Sequence, residues 1–332
     1  MRVVDAENFT SVPETMLPPA RRQLRLDGLR ALGGIDADCS DVAVAGARLY
    51  LLHGPHRLRS IDLRALALSS PESDRESLVS YLRIVGAELP HRADTIEVSD
   101  DGSALLVMAR ATQQCTLVHL PRHWPTGAPA TARAVALPAG VLHACMLPYA
   151  PHLVLSVHAD RSVRVCDCST DAAGVIVSET VLPAQVARVD TVAMTGGSWR
   201  FCALLSGLTV DGAACTVVAT PLLPRGLSLT RGDLNNICRL LEAHSSSSAD
   251  VLRRCLKPVG DSIRVDAMLA PSLSLHLLPS LRQREDGRGK CRVAATVLLS
   301  GETSLLLRLW SDGALDIVLL LGQPSLVVLA ST

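Results

Sequence analysis

Hydrophobic and polar positions alternate in short segments along the chain, and the clearest example lies at residues 93–125. Residues 95–98 alternate apolar and polar side chains, which predicts a half-buried strand. A turn follows at 99–102, and residues 104–109 and 115–120 then form two more apolar strands before Pro121. A three-stranded meander cannot bury both faces of its middle strand alone, so it requires similar units beside it.

Similar units recur along the sequence, each with its most apolar strand in second place. The first apolar residues of three such strands, Leu105, Leu153 and Phe201, are each separated by 48 residues. Leu49 begins an earlier example and Leu305 a later one. A repeat of about 40 to 50 residues with four strands per unit is typical of a β-propeller. We therefore predict an all-β chain, a β-propeller of six or seven blades, with seven favoured.

Two short amphipathic helices interrupt this pattern. Asp233 is predicted to cap a helix that ends near Ala243, and a second helix is predicted at 249–256, ending before Pro258. Together they predict a helical hairpin inserted at about residues 231–257. Its apolar residues are candidates either for packing onto a blade, the more common role of such a stripe, or for contact with another protein. These residues are Leu234, Ile237, Leu240, Leu241, Val251 and Leu252.

The domain organisation follows from the same pattern. Residues 1–30 contain several prolines and arginines without sustained periodicity, which predicts a mobile tail. Residues 31–332 are predicted to form the propeller. The 104 residues between Phe201 and Leu305 leave room for one further repeat unit together with the insertion.

Composition narrows the possible partners. The chain is 48% hydrophobic, has 32 basic and 32 acidic residues, and is only 2% aromatic. This argues against a dedicated nucleic-acid surface, which needs positive charge and stacking rings. Ten cysteines occur without a CxxC pair, and the first residues lack a signal-peptide core, so we expect reduced thiols in a cytosolic or nuclear protein. Charged residues interrupt the apolar stretch 304–330, so no membrane insertion is predicted.

The search for chemistry yields no catalytic, cofactor or metal site. Each candidate has a simpler structural interpretation. Cys115, His119 and His123 form an incomplete zinc set, Cys166 and Cys168 are interpreted as buried core thiols, and Gly196-Gly197-Ser198 is interpreted as a hairpin turn without the GxSxG pattern. Arg282 to Arg292 form a solvated basic loop, His143, His152 and His158 are structural histidines, and Asp94, Asp190 and Asp266 are aspartates at the entries of strands.

Two phrases resemble a known family. Residues 116–127, TLVHLPRHWPTG, are similar to a phrase in the amino-terminal propeller of the 82/88-kilodalton nucleoporin family, in which a leucine-proline-basic-x-tryptophan run follows a strand. A later phrase also resembles that family, with Arg164, Val165 and Asp167 in matching places. The match covers roughly residues 94–170. The Trp-Asp dipeptide of WD repeats is absent, because Cys166-Asp167 stands in its place.

The resemblance implies a non-enzymatic scaffold in the nuclear pore complex, on the cytoplasmic platform for mRNA export. Family propellers hold the autoproteolytic domain of a phenylalanine-glycine nucleoporin and a helical tail of another nucleoporin. Family members also carry a long coiled coil, which residues 1–332 lack. The alternatives from other classes are a propeller adaptor in a different complex and, less favoured, a propeller hydrolase.

Overall fold

The structure of the protein is a computed structural model, and it describes the chain in the following segments. They are residues 39–45, 48–53, 57–62, 83–89, 92–99, 101–120, 133–170, 173–194, 202–219, 223–242, 254–260, 262–267, 273–277, 293–299, 304–311, 315–320 and 326–331. The predicted tail at 1–30, the hairpin turn at 196–198 and the basic loop at 282–292 lie outside these described residues.

The described strands form antiparallel sheets, and the first two sheets each contain four strands in sequence order. Sheet 1 contains β1 (Cys39–Ala45), β2 (Arg48–His53), β3 (Arg57–Asp62) and β4 (Arg83–Glu88), and sheet 2 contains β5 (Thr95–Val98), β6 (Ala104–Ala109), β7 (Gln114–His119) and β8 (Arg133–Ala136). The predicted strands at 95–98 and 104–109 are confirmed at both ends. Their turn closes through the Gly102 N–H, which donates to the Ser99 carbonyl at 2.8 Å.

Three further four-stranded sheets follow. Sheet 3 contains β9 (Val141–Leu147), β10 (Ala150–His158), β11 (Ser162–Asp167) and β12 (Val175–Val181). Sheet 4 contains β13 (Val186–Met194), β14 (Ala203–Thr209), β15 (Ala214–Ala219) and β19 (Leu273–Leu277), and sheet 5 contains β20 (Val293–Leu299), β21 (Ser304–Trp310), β22 (Leu315–Leu320) and β23 (Leu326–Ser331). The described residues thus contain five four-stranded sheets, whereas the sequence pattern predicts six or seven blades.

An insertion separates the last two strands of sheet 4. It contains β16 (Ser228–Leu229), helix α1 (Arg231–Glu242), β17 (Leu256–Val259) and β18 (Ser262–Val265). The three strands form a small sheet in the order β16-β18-β17. Strand β19 then pairs with β15, with Cys215 opposite Leu277 and Ala219 opposite Leu273. Within the described part of the interval 201–305, this three-stranded sheet stands where a further repeat unit was predicted.

The chain divides into two compact units. One unit comprises Met1–Ala109 and Val118–Ala134, and the other comprises Arg110–Leu117 and Val135–Thr332. In the first unit, β1 lies beside β5; in the second, β9 lies beside β13 and β13 beside β20. The first strands of successive sheets are therefore neighbours within each unit, which is how the inner strands of propeller blades are arranged.

Second and third strands supply most of the buried apolar surface. Every described side chain of β6, β14 and β15 is buried. The core of the first unit includes Leu52, Leu58 and Leu105, and that of the second includes Val165, Leu205 and Val217. A strand that is buried on both faces is apolar along its length, which explains why the middle strand of each sequence repeat dominates the hydrophobic pattern.

Candidate protein-interaction site

Helix α1 carries most of the predicted interaction residues, and a reciprocal cap fixes its start. The Asp233 N–H donates to Thr230 Oγ1 at 3.1 Å, while Asp233 Oδ2 accepts from the Thr230 N–H and hydroxyl at 2.9 and 2.8 Å. This is a capping box with Thr230 at the N-cap. The prediction that Asp233 itself is the cap was therefore wrong by one turn, because a hydroxyl three residues earlier accepts the N–H that the cap must satisfy.

The apolar stripe of α1 packs on the small sheet of its own insertion. Ile237 is fully buried, and Leu234 is half-buried against the same cluster. The other members come from α1 itself, the small sheet, the preceding loop and the turn between β9 and β10: Cys238, Leu229, Val265, Leu256, Ile263, Leu223, Leu227 and Tyr149. Burial raises the pKa of the Tyr149 phenol. For Leu234 and Ile237, packing is thus the observed role.

The remaining predicted interaction residues follow Ile237 in the sequence. Leu240 and Leu241 belong to the last turns of α1, where the structure describes the backbone but not their side chains. Val251 and Leu252 lie outside the described residues. The structure thus brings together two of the six predicted residues, and the docking role of the set stays a prediction.

The second predicted helix ends earlier than expected. Arg254 and Cys255 have helical backbone, but Leu256 begins strand β17, which contains Pro258. Proline lacks an N–H and is tolerated on a sheet edge, which is where β17 lies. Interpreting Pro258 as a helix stop therefore missed a hairpin whose sequence signal is the Gly260-Asp261 pair between two short alternating segments.

A shallow cavity of about 360 Å³ lies at the turn between β14 and β15. Its lining residues are Ala187, Arg188 and the run from Leu208 to Gly212. Two polar contacts occur here: Thr209 Oγ1 donates to Asp211 Oδ1 within the turn, and Arg188 Nε lies 2.9 Å from Asp190 Oδ1 within β13. Val210 is 72% exposed at the rim. The cavity therefore has an apolar rim and polar groups that already contact one another, and its lining does not pair a nucleophile with a base.

The candidate metal and acidic residues form no metal cluster in the part of the chain that the structure describes. Among the described residues, no group of three or more His, Cys, Asp or Glu side chains could hold a metal ion. Cys115 is buried, and His123 lies outside the described residues. Asp190 pairs with Arg188 inside sheet 4, whereas Asp266 pairs with Lys257 in the insertion. Each of these two aspartates thus belongs to a local ion pair.

His158 and Arg164 stabilise sheet 3 internally. His158 Nε2 lies 2.9 Å from Ser156 Oγ, and His158 Nδ1 lies 3.2 Å from the Ala139 carbonyl oxygen. These contacts tie His158 to its own strand β10 and to the connection that precedes β9. The Arg164 guanidinium donates to Asp160 Oδ2 at 2.7 Å and to Glu179 Oε1 at 2.8 Å. The second family-like phrase therefore includes residues that hold neighbouring strands and a turn together.

The comparisons with known proteins identify the architecture. No family model and no curated protein matches the sequence. A chain of the Chaetomium thermophilum heterotrimeric Nup82 NTD-Nup159 TAIL-Nup145N APD complex is similar in structure, with a TM-score of 0.61 and 12% sequence identity over 97% of this chain and 78% of that chain. The fold is a β-propeller.

Two further solved structures share this architecture. A chain of the yeast heterotrimeric Nup82-Nup159-Nup116 nucleoporin complex has a TM-score of 0.54 and 12% identity, with 88% of this chain and 74% of that chain covered. A Lactobacillus plantarum protein has a TM-score of 0.50 and 8% identity, with 88% and 70% covered. At such low identity these similarities establish the fold and leave function to be argued from the residues.

The described helices give no sign of a membrane span. In the part of the chain that the structure describes, none of them combines the length and the apolar content required to cross a bilayer.

Proposed function

We propose that the protein is a non-enzymatic scaffold propeller that binds other nucleoporins in the nuclear pore complex. One coincidence carries this proposal. The phrase at 116–127 and the structural similarity to chains of Nup82-containing complexes point independently to the same family. A bacterial protein shares the fold as well, so the propeller alone would not specify this role.

The proposed partners follow from what accompanies Nup82 in the similar structures. Those complexes contain Nup159 and either Nup145N or Nup116. The partners that we propose here are the autoproteolytic domain of a phenylalanine-glycine nucleoporin and a helical tail of another nucleoporin. We propose that the protein acts with them on the cytoplasmic face of the pore in mRNA export. A rigid propeller with an inserted amphipathic helix suits this role, because such a helix provides an apolar surface for a partner helix.

Within the insertion, we propose that docking involves the predicted apolar residues other than Leu234 and Ile237. Ile237 is fully buried and Leu234 half-buried in the insertion's own cluster, so these two residues already have a packing role. The proposed contacts are Leu240, Leu241, Val251 and Leu252.

Affinity purification of the full chain from its native cells, followed by mass spectrometry, tests the proposal. We expect phenylalanine-glycine nucleoporins and their coiled-coil partners with the wild type and with an Asn235→Ala control, since Asn235 is exposed on the same helix. The Leu240→Ala/Leu241→Ala variant should retain the fold and lose a partner. Recovery of an unrelated assembly, such as a vesicle coat or ubiquitin ligase, would favour the adaptor alternative and overturn the nucleoporin assignment.

A further inference from the structure

The small sheet of the insertion has two chemically different faces. One face packs on α1 through Leu229, Ile263 and Val265. The other presents Arg264 on the central strand β18, directly opposite Lys257 of β17 on one side and Ser228 of β16 on the other. All three of these side chains are exposed. The outward face therefore places two cations in a direct cross-strand pair.

Such a pair opposes folding, because like charges at directly opposite positions of an antiparallel sheet repel. One carboxylate offsets part of this repulsion: Lys257 Nζ donates to Asp266 Oδ2 at 2.6 Å. The Gly226 N–H donates to the Val265 carbonyl oxygen at 2.7 Å, which joins the turn that carries the exposed Arg225 to the residue before Asp266. The Lys257 ammonium lowers the pKa of Asp266, and Arg225 and Arg264 lower it further. Among the acidic residues between 254 and 267, the structure describes Asp266, and Asp261 lies outside the described residues.

We name Arg225, Lys257 and Arg264 the cationic face. Three positive charges share one described carboxylate, which Lys257 already engages. Lys257 is 68% exposed and Asp266 is 43% exposed, so both remain open to an incoming group. Exposed ion pairs of this kind contribute little to stability. Folding therefore does not account for the concentration of positive charge, whereas binding of an anionic partner would.

The chemistry around the cationic face selects among anionic partners. Residues 223–267 contain no Phe, Tyr or Trp, so this segment lacks the large aromatic rings on which nucleic-acid bases usually stack. Pro258 on the edge strand β17 lacks an N–H and weakens the addition of a further strand there. Recognition must then come from side-chain charge, which suits carboxylates spaced along a polypeptide.

We propose that the cationic face binds an acidic segment of a partner protein, with carboxylates of the segment paired to Arg225, Lys257 and Arg264. This binding neutralises the cross-strand repulsion that the free protein retains. The inference does not depend on the nucleoporin assignment, since it rests on the charges and register of the small sheet and of the turn before it.

The test measures the affinity of the full chain for a fluorescein-labelled oligoglutamate peptide by fluorescence anisotropy at low salt. We expect saturable binding that Arg225→Gln/Arg264→Gln weakens by about tenfold, which is the effect of losing two exposed charge pairs. Arg231→Gln removes a positive charge from another exposed position of the insertion and should change the affinity less than twofold, by the same reasoning on pairwise charge energies.

A gain-of-function variant guards against a folding artefact. Asp266→Asn removes the competing carboxylate at an exposed position, so the fold should persist and the peptide should bind several-fold more tightly. The proposal is overturned if Asp266→Asn leaves the affinity unchanged, or if Arg231→Gln weakens binding as much as the double variant does. It is also overturned if an oligothymidine strand binds as tightly as the peptide and loses affinity in the same variants, because the face would then be a phosphate-binding surface.

Discussion

Gly207 marks the closest approach between two strands in sheet 4. It lies opposite Val189 of β13, where the β13–β14 register shifts between Val189 and Thr191. A Cβ atom on Gly207 would lie 2.0 Å from the Arg188 carbonyl oxygen and 2.9 Å from the Val189 Cα atom. Both of these atoms belong to the backbone, which cannot swing aside as a flexible side chain would. The bulge in β13 therefore depends on the absence of a side chain at this position.

Replacing Gly207 by alanine should destabilise the protein by about 3 kcal/mol, because the methyl group forces the two strands apart. Urea unfolding followed by circular dichroism measures this change. Ser206→Ala is the matched control, since it adds no atom and removes a buried hydroxyl that has no hydrogen-bond partner among the described residues. The control should be neutral or slightly stabilising. Equal midpoints for the two variants would show that the strands are not in such close contact.

Three hairpin turns show how one backbone geometry tolerates different residues. Gln113, Arg161 and Gly212 have φ angles of 54°, 69° and 83° and occupy the turn that joins the second and third strands of sheets 2, 3 and 4. Only glycine adopts this left-handed conformation without strain. At Arg161 the guanidinium donates to the Pro183 carbonyl oxygen at 2.9 Å. This bond offsets some of the backbone strain and ties the turn to the next connection.

At the scale of elements, the capping box decides how firmly α1 is held. Thr230→Ala removes the hydroxyl that accepts the Asp233 N–H, so we expect a loss of about 1 kcal/mol in the local stability of the helix. Hydrogen exchange of the amides in Arg231–Glu242, read by mass spectrometry, should become faster by about fivefold, the equivalent of that energy.

Asn235→Ala provides the comparison for this helix variant. Asn235 is exposed and lies outside the cap, and alanine has the higher helix propensity, so its exchange should be unchanged or slower. If Thr230→Ala leaves exchange in α1 at the wild-type rate, packing against the small sheet rather than the cap governs opening of the helix.

Local patterns predicted most of the strands because each middle strand is a continuous apolar run between turn residues. The ends of β5 were predicted from alternation and those of β6 from a continuous apolar run, and the period of 48 residues places Leu105 in β6 and Leu153 in β10. The failures have specific causes. Strand β17 was missed because Pro258 indicates a helix stop unless the residue is known to lie on a sheet edge.

Long-range pairing accounts for the rest of what the sequence could not predict. Strand β19 completes sheet 4 by pairing with β15 across the whole insertion, and no periodicity within either strand encodes that partnership. The cationic face depends likewise on the register that places Lys257 opposite Arg264. For α1, the apolar stripe predicted that Leu234 and Ile237 would pack onto a blade, whereas they pack in a cluster formed mainly by the insertion's own small sheet.

At the scale of the whole molecule, burial of titratable groups limits stability at both ends of the pH range. Burial and the nearby Arg110 lower the pKa of His143, and burial and Arg164 lower that of His158. Burial also raises the pKa of the Cys166 thiol to about 11 and that of the Cys202 thiol to about 12. The fold thus favours neutral histidines and neutral thiols, in keeping with the reduced, buried cysteines expected from composition.

The lowered histidine pKa values and the raised cysteine pKa values predict a plateau of stability from about pH 6.5 to 9, between the unfolded-state pKa values of histidine and cysteine. Below the plateau, unfolded histidines bind protons that the folded ones resist, so the urea midpoint should fall toward about pH 5.5. Above it, unfolded thiols lose protons that the buried ones retain, so the midpoint should fall again. A tenfold change in proton affinity corresponds to about 1.4 kcal/mol, so we expect the free energy of unfolding to fall by on the order of 1 kcal/mol or more by about pH 10.

His143→Gln/His158→Gln should flatten the acid side of this profile alone, and Cys202→Ala should reduce the alkaline slope alone. A variant that shifts the whole curve without changing either slope would show that its side chain contributes through packing, and that its ionisation is not linked to folding.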